Sequence, residues 1–296
     1  MKFIYSIAIL FLFASMICHG QPASGRLVHF SNVASKYVQV RNVDVWLPEN
    51  YNPQKKYAVL YMHDGQSLLD TVNSFNHSEW KVDETLSKLM NEGSILPCIV
   101  VGIWNTGMTR HAEYFPQMAL ENLTETEKEE FMPMLEGGPK ADNYLKFIVQ
   151  ELKPKIDSSF STLSDRAHTF IAGSSMGGLI SLYAICQYPS VFGGAACLST
   201  HWIGSHKGTD NPVPFAIIRY VENHLPSAKN HKIYFDYGSV SLDSMYKPYQ
   251  LKVDEIMVKH GYTSRNWMTK EFVGESHTEE AWSKRFYIPA TFLLHK

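Results

Sequence analysis

Hydrophobic residues recur at intervals of two through 26–48, with Val38, Val40, Val43, Val45 and Leu47 carrying the alternation. That rhythm predicts antiparallel strands at a sheet edge. Beyond it the pattern changes. Unbroken apolar runs at 57–62 and 99–104 predict buried strands, and between them 79–92 sets Trp80, Val82, Leu86 and Leu89 at helical spacing. A helix is predicted over 141–152, a short strand over 170–172, a helix over 176–188 that Pro189 stops, and a strand over 194–198. Helices at 214–224, 253–260 and 279–286 then alternate with strands at 233–237 and 267–273. Strands alternating with helices give an α/β fold, a mostly parallel central sheet with helices on both faces. The stretch 107–139 keeps no clean period and is rich in Met and Glu. It reads as an insertion over the carboxyl edge of the sheet, where ligands bind in such folds.

Residues 1–20 differ from the rest: Lys2 gives a positive start, 3–17 is almost wholly apolar, and Cys18-His19-Gly20 ends the run. This is the pattern of a signal peptide cleaved after Gly20. The run is short for a membrane span and no basic cluster follows it, so no stable membrane insertion is expected. Lipoprotein processing at Cys18 is the alternative, against which stand the large Met16 and Ile17. The expected location is secreted or periplasmic, with 21–296 folding as a single domain. A hydrophobic fraction of 45% suits a globular enzyme, and a net charge of −2 without long blocks of one sign offers nothing to nucleic acid. Cys98, Cys186 and Cys197 read as small buried hydrophobes, with a Cys186–Cys197 bridge left open for an exported chain. No histidine or cysteine pair has metal-ligand spacing and no phosphate loop is present, so neither metal nor cofactor is expected.

The chemistry concentrates in 169–179, Thr-Phe-Ile-Ala-Gly-Ser-Ser-Met-Gly-Gly-Leu. Strand, Gly-x-Ser-x-Gly and helix follow in order, the signature of an elbow that holds a serine hydroxyl exposed above the sheet. The serine is Ser175; the alternative is a small-residue turn that only packs a helix on a strand. A serine nucleophile needs a base, and the base needs an acid to orient it, in the chain order Ser, acid, His. His277 follows the last predicted strand and the small loop Gly274-Glu275-Ser276, the expected place for the base. His201, His206, His224, His231, His260 and His295 are its rivals. Asp243, in the loop after strand 233–237, is the expected acid, with helix capping as its other reading and Asp236 as runner-up. Two backbone N–H groups must meet the oxyanion: Met176 supplies one, and Gln66, after a turn at Gly65, the other. His63 and Asp64 precede Ser175, out of order for a triad, and read as shaping that loop.

The segments Tyr61-Met62-His63-Asp64-Gly65-Gln66, Trp80-Lys81-Val82-Asp83 and Gly173-Ser174-Ser175-Met176-Gly177-Gly178, with the loops at 238–243 and His277, resemble the putative esterase family. Its members include esterase D, enterochelin esterases, feruloyl and acetylxylan esterases, and mycolyl transferases. The likeness runs over 40–290. It implies an α/β-hydrolase fold, Ser175 as nucleophile, His277 as base, and the Met176 and Gln66 amides as oxyanion donors. The family's acid often follows the strand's glycine by fewer residues than Asp243 follows Gly238. Asn105, Arg110, Glu113 and Tyr114 resemble a segment such esterases carry near the site, which makes Asn105 and Arg110 expected substrate contacts; the alternative is a salt-bridged surface loop. Trp202 is expected to wall the pocket, or else to fill the core.

The leading reading is a serine carboxylic-ester hydrolase acting on a small-molecule or glycan ester, with carbohydrate-linked acyl or phenolic esters foremost. The same acyl-enzyme could pass its acyl group to an alcohol or sugar, or serve a siderophore ester. A non-catalytic ligand-binding protein on the same fold is the reading from another class, and the intact Ser175, Asp243 and His277 set argues against it.

Overall fold

The computed structural model describes residues 21–74, 76–204 and 212–295. The expected leader at 1–20 and His206 lie outside the described residues. The first two strands, β1 (Arg26–Val33) and β2 (Arg41–Leu47), pair antiparallel. Val38 and Val40, expected on a strand, lie in the connection between them, with Val40 exposed. Then come β3 (Ala58–His63), α1 (Val82–Asn91) and β4 (Cys98–Ile103).

The aperiodic stretch is not a loose loop. It folds into α2 (Arg110–Tyr114), α3 (Glu125–Phe131) and two 3₁₀ segments, Gln117–Asn122 and Met132–Met134. Ala112, Tyr114, Phe115 and Phe131 are buried, so the elements are simply too short to show a period. Next, α4 (Ala141–Lys146) runs through a π turn at Phe147–Leu152 into α5 (Lys153–Ser159). The helix therefore outruns the expected end at 152. Pro154 falls in the first turn after the change of register, where its missing N–H is tolerated.

From there the chain alternates: β5 (Thr169–Ser174), α6 (Met176–Gln187), β6 (Gly194–Leu198), α7 (Val213–His224), β7 (Lys232–Gly238), α8 (Lys247–Lys259), β8 (Trp267–Phe272), α9 (Glu279–Arg285) and α10 (Tyr287–Leu294). The last helix has no counterpart in the sequence reading. Its eight residues are apolar on all sides and abut α9, leaving neither a period nor a break to mark it.

The strands form one sheet in the order β1-β2-β4-β3-β5-β6-β7-β8, antiparallel through β1, β2 and β4 and parallel from β4 to β8. Alternate residues serve opposite faces. Val59, Tyr61, Val101, Ile171 and Phe235 pack with α4, α6, α7 and α8, while Leu60, Met62, Val100, Ala172 and Tyr234 pack with α1, α9 and α10. The sheet is thus covered on both sides, and α6, buried over nearly its whole length, is the helix that follows the elbow. This is the expected α/β-hydrolase arrangement. Cys98, Cys186 and Cys197 are all free and buried, so no Cys186–Cys197 bridge forms. Burial alone pushes the Cys98 thiol up to about 12.

Candidate active site

Ser175 stands between β5 and α6 with φ 58° and ψ −123°, a backbone conformation that costs about 1–3 kcal/mol and persists only where its surroundings hold it. Two bonds fix it: its N–H donates to the Leu198 carbonyl at 2.9 Å, and its carbonyl accepts the His201 N–H at 3.1 Å. Gly173 is required because a Cβ there would stand 2.8 Å from the Gly177 backbone. The Met176 N–H, at the first position of α6, has no partner within the helix and is free to meet an anion.

The second arm follows β3. The left-handed turn falls on Asp64 (φ 57°) rather than on Gly65, and Gly65 is needed for a different reason. A Cβ on it would lie 2.5 Å from the Gly102 carbonyl carbon in β4. Gln66 sits in the single 3₁₀ turn Gly65–Ser67. Its side-chain oxygen accepts the Asn105 N–H at 3.2 Å. Asn105 and Arg110 line the cavity as expected substrate contacts would, yet both are engaged by Asp64. Arg110 donates Nε to Oδ1 at 2.8 Å and Nη2 to Oδ2 at 2.7 Å, and Asn105 donates Nδ2 to Oδ1 at 2.8 Å. Burial opposes the Asp64 carboxylate, but the Arg110 charge and these bonds hold its pKa below the ordinary value. His63 is buried with Nδ1 2.8 Å from the Tyr144 hydroxyl, and burial pushes it down to about 3. Glu113 does not pair with Arg110; it forks onto buried Arg41 at 2.9 and 2.7 Å.

The loops after β7 and β8 meet. His277 Nδ1 lies 2.5 Å from Asp243 Oδ1. A carboxylate only accepts, so Nδ1 carries the proton and Nε2 is left free to act as a base. Asp243 is fully buried in the 3₁₀ turn Ser241–Met245, and its Oδ2 accepts from Ser199 Oγ at 2.6 Å and the Gly238 N–H at 2.5 Å. Burial works against the Asp243 carboxylate, and the bonds from His277, Ser199 and Gly238 still hold its pKa below the ordinary value. The His277 ring is edge-on to Trp282 at 4.9 Å.

Ser175 and His277 line one cavity of about 650 Å³ together with Asp64, Gln66, Trp80, Asn105, Arg110, Glu279 and Trp282. A neighbouring cavity of about 400 Å³, bordered by Met108, Met134, Met176 and His201, shares Gly107 and Arg110 with it. Trp202 walls neither. It is fully buried, donates Nε1 to Gln250 Oε1 at 3.0 Å and packs on Phe235, a core tryptophan beside the sheet.

The runner-up acid faces elsewhere: Asp236 accepts from Arg285, Tyr234 and the Ser199 N–H. Among the rival histidines, His231 points both ring nitrogens at backbone carbonyls and His224 stacks on Tyr220. His201 binds the Tyr246 hydroxyl at 2.7 Å. The sequence reading missed Tyr246, whose hydroxyl also meets the Ser175 side chain, and Ser199, Trp282 and Arg285. One signal was present: Trp282 and Arg285 are three apart on the helix just after His277, and so share a face.

The family model described as Putative esterase matches residues 35–287. The chain is 26% identical over 164 residues to an endo-1,4-beta-xylanase/feruloyl esterase of Xylanibacter ruminicola, covering 52% of this chain and 19% of that protein. It is 26% identical over 162 residues to the ferri-bacillibactin esterase BesA of Bacillus subtilis, covering 52% of each. The chain thus spans about half the length of these curated relatives, or less. A solved ferulic acid esterase superposes with a TM-score of 0.65 at 20% identity, covering 91% of this chain and 98% of that one, a likeness of fold. With a model match over most of its length and the elbow and two-armed site of an α/β hydrolase, the chain belongs to the putative esterase family.

Proposed function

We propose that the protein is a carboxylic-ester hydrolase that works through an acyl-enzyme on Ser175, with His277 as base and Asp243 as its orienting acid. The observation that carries this reading is the 2.5 Å bond between His277 Nδ1 and buried Asp243, in a cavity that His277 shares with the serine of the elbow. His277 Nε2 takes the Ser175 proton as Oγ attacks the ester carbonyl, and the Met176 and Gln66 N–H groups receive the oxyanion. The imidazolium then protonates the leaving alcohol, and water repeats the cycle on the acyl-enzyme. Trp80 and Trp282, packed on each other with ring centres 5.4 Å apart and almost wholly buried, make one part of the cavity wall apolar, where an aromatic acyl group would fit. The polar side, with Gln66, Asn105 and Glu279, suits a hydroxyl-rich alcohol. Together with a feruloyl esterase among the relatives, this favours phenolic-acid esters of carbohydrate as substrates.

The apolar run at 3–17 supports export to the periplasm or medium. No helix among the described residues is long and apolar enough to cross a membrane. The deciding experiment is a hydrolysis panel of methyl ferulate, acetyl and butyryl esters and a catecholate siderophore, run with and without a sugar acceptor. Preference for the ferulate is expected. Hydrolysis confined to the siderophore, or acyl transfer outrunning hydrolysis, would overturn the substrate reading.

A further inference from the structure

Ser199, directly after β6, is fully buried and adopts φ 41°, a region that favours glycine. A glycine would relieve that strain, but it would lack the hydroxyl. The hydroxyl has three partners: Asp243 Oδ2 at 2.6 Å, Trp282 Nε1 at 2.9 Å and Arg285 Nη2 at 2.8 Å. Neither an indole N–H nor a guanidinium can accept, and a carboxylate cannot donate. The single hydroxyl hydrogen is therefore directed at Asp243, and the two other donors fix that direction.

This bond leaves Asp243 one free role. Its Oδ2 is held by Ser199 and the Gly238 N–H, so Oδ1 alone faces His277. Behind Ser199, Arg285 is anchored by Asp236 through Nε at 3.2 Å and Nη2 at 2.9 Å, and that Nη2 lies 3.9 Å from Asp243 Oδ2. The Ser199 N–H also donates to Asp236 Oδ1 at 3.1 Å. The two aspartates are thus bridged through one serine and one arginine.

We propose that Ser199, its hydroxyl aimed by Trp282 and Arg285, is a positioning residue that holds the Asp243 carboxylate in the orientation that binds His277. The inference rests on the reading of Asp243 as the acid. Ser199 acts through Asp243 and touches neither substrate nor nucleophile. The strained backbone is retained for the hydroxyl, as strain at working sites commonly is.

A double-mutant cycle with p-nitrophenyl acetate as the probe tests this. Ser199→Gly removes the hydroxyl while relaxing the backbone, and Ser199→Ala removes it without relaxation, so one variant stands in if the other folds poorly. A hydrogen bond to a charged group predicts a loss of about 10- to 100-fold in kcat in the native background, with KM within about threefold. In an Asp243→Asn background the same change should cost less than about twofold, because the partner it positions no longer acts. The low-field proton resonance of the His277–Asp243 bond should weaken in Ser199→Gly. Equal losses in both backgrounds would make Ser199 a structural residue and overturn the proposal, as would a kcat within about twofold of the parent enzyme. If Asp243→Asn alone left turnover intact, the acid assignment itself would fall, a separate failure that the same four proteins reveal.

Discussion

Arg110 grips Asp64 through two parallel hydrogen bonds of 2.8 and 2.7 Å, and Asp64 is the left-handed residue that launches the Gly65-Gln66 turn. The insertion and the turn Gly65–Ser67 are therefore joined by one ion pair, partly sheltered from water, with the two side chains 29% and 16% exposed. The fork geometry gives direction as well as charge.

Breaking that pair should loosen the Gln66 arm. Arg110→Met is expected to lower kcat by about 10- to 100-fold, the scale of a weakened oxyanion donor, with a smaller change in KM. Arg110→Lys keeps the charge but loses the fork, and should recover only part of the rate. Steady-state kinetics on a small soluble ester give the comparison; a loss expressed wholly in KM would show Arg110 to be a substrate contact instead.

Ser175→Ala removes one oxygen from the elbow, so the fold should persist while turnover falls by about three decades or more. Fluorophosphonate should label the parent protein at Ser175 alone, read by peptide mass mapping. Labelling at another serine would contradict the assignment.

The two buried aspartates should separate cleanly. Asp243→Asn withdraws the charge that fixes the His277 tautomer, and turnover should drop by about two to four decades. Asp236→Asn leaves the buried Arg285 guanidinium with only Asp243, 3.9 Å from its Nη2, as counter-charge, so stability should fall by up to about 3–5 kcal/mol, while turnover of the folded protein stays within about a decade. Paired thermal melts and kinetics decide it, and the reverse pattern at equal melting temperature would make Asp236 the acid.

How far the sequence carries can be read from these same residues. The elbow, the β5 strand and the two later loops were legible because each depends on local pattern: an apolar run, a glycine at a tight contact, a short loop before a helix. Ser199 was not, because it meets Trp282 and Arg285 across 83 and 86 residues of chain, and the helix face those two share does not say what it faces. The same blindness misplaced Trp202, since a tryptophan just past a strand end reads alike whether it turns to the cavity or the core. Asp236 read from the sequence as the runner-up acid; only its buried partner Arg285 shows why its loss should cost stability instead.

Stability against pH carries two opposed contributions. Burial, with the neighbouring Glu84 favouring the protonated form, raises the Asp83 carboxyl to about 7, so over roughly pH 4–7 the folded protein holds a proton that the unfolded chain has released, and stability falls as pH rises. His63 is depressed to about 3 by burial, so below about pH 6.5 the unfolded chain takes up a proton that the folded protein refuses, and stability falls as pH drops. Across their shared window the two slopes offset each other. Asp83→Asn keeps an acceptor for the Ser24 N–H, which bonds Asp83 Oδ2 at 2.9 Å, but removes the titration. Its melting temperature should therefore climb from pH 4 to pH 6.5 more steeply than that of the parent protein, with the advantage over the parent greatest above pH 7. Parallel melting curves for the two proteins across that range would refute the placement of a neutral carboxyl at Asp83.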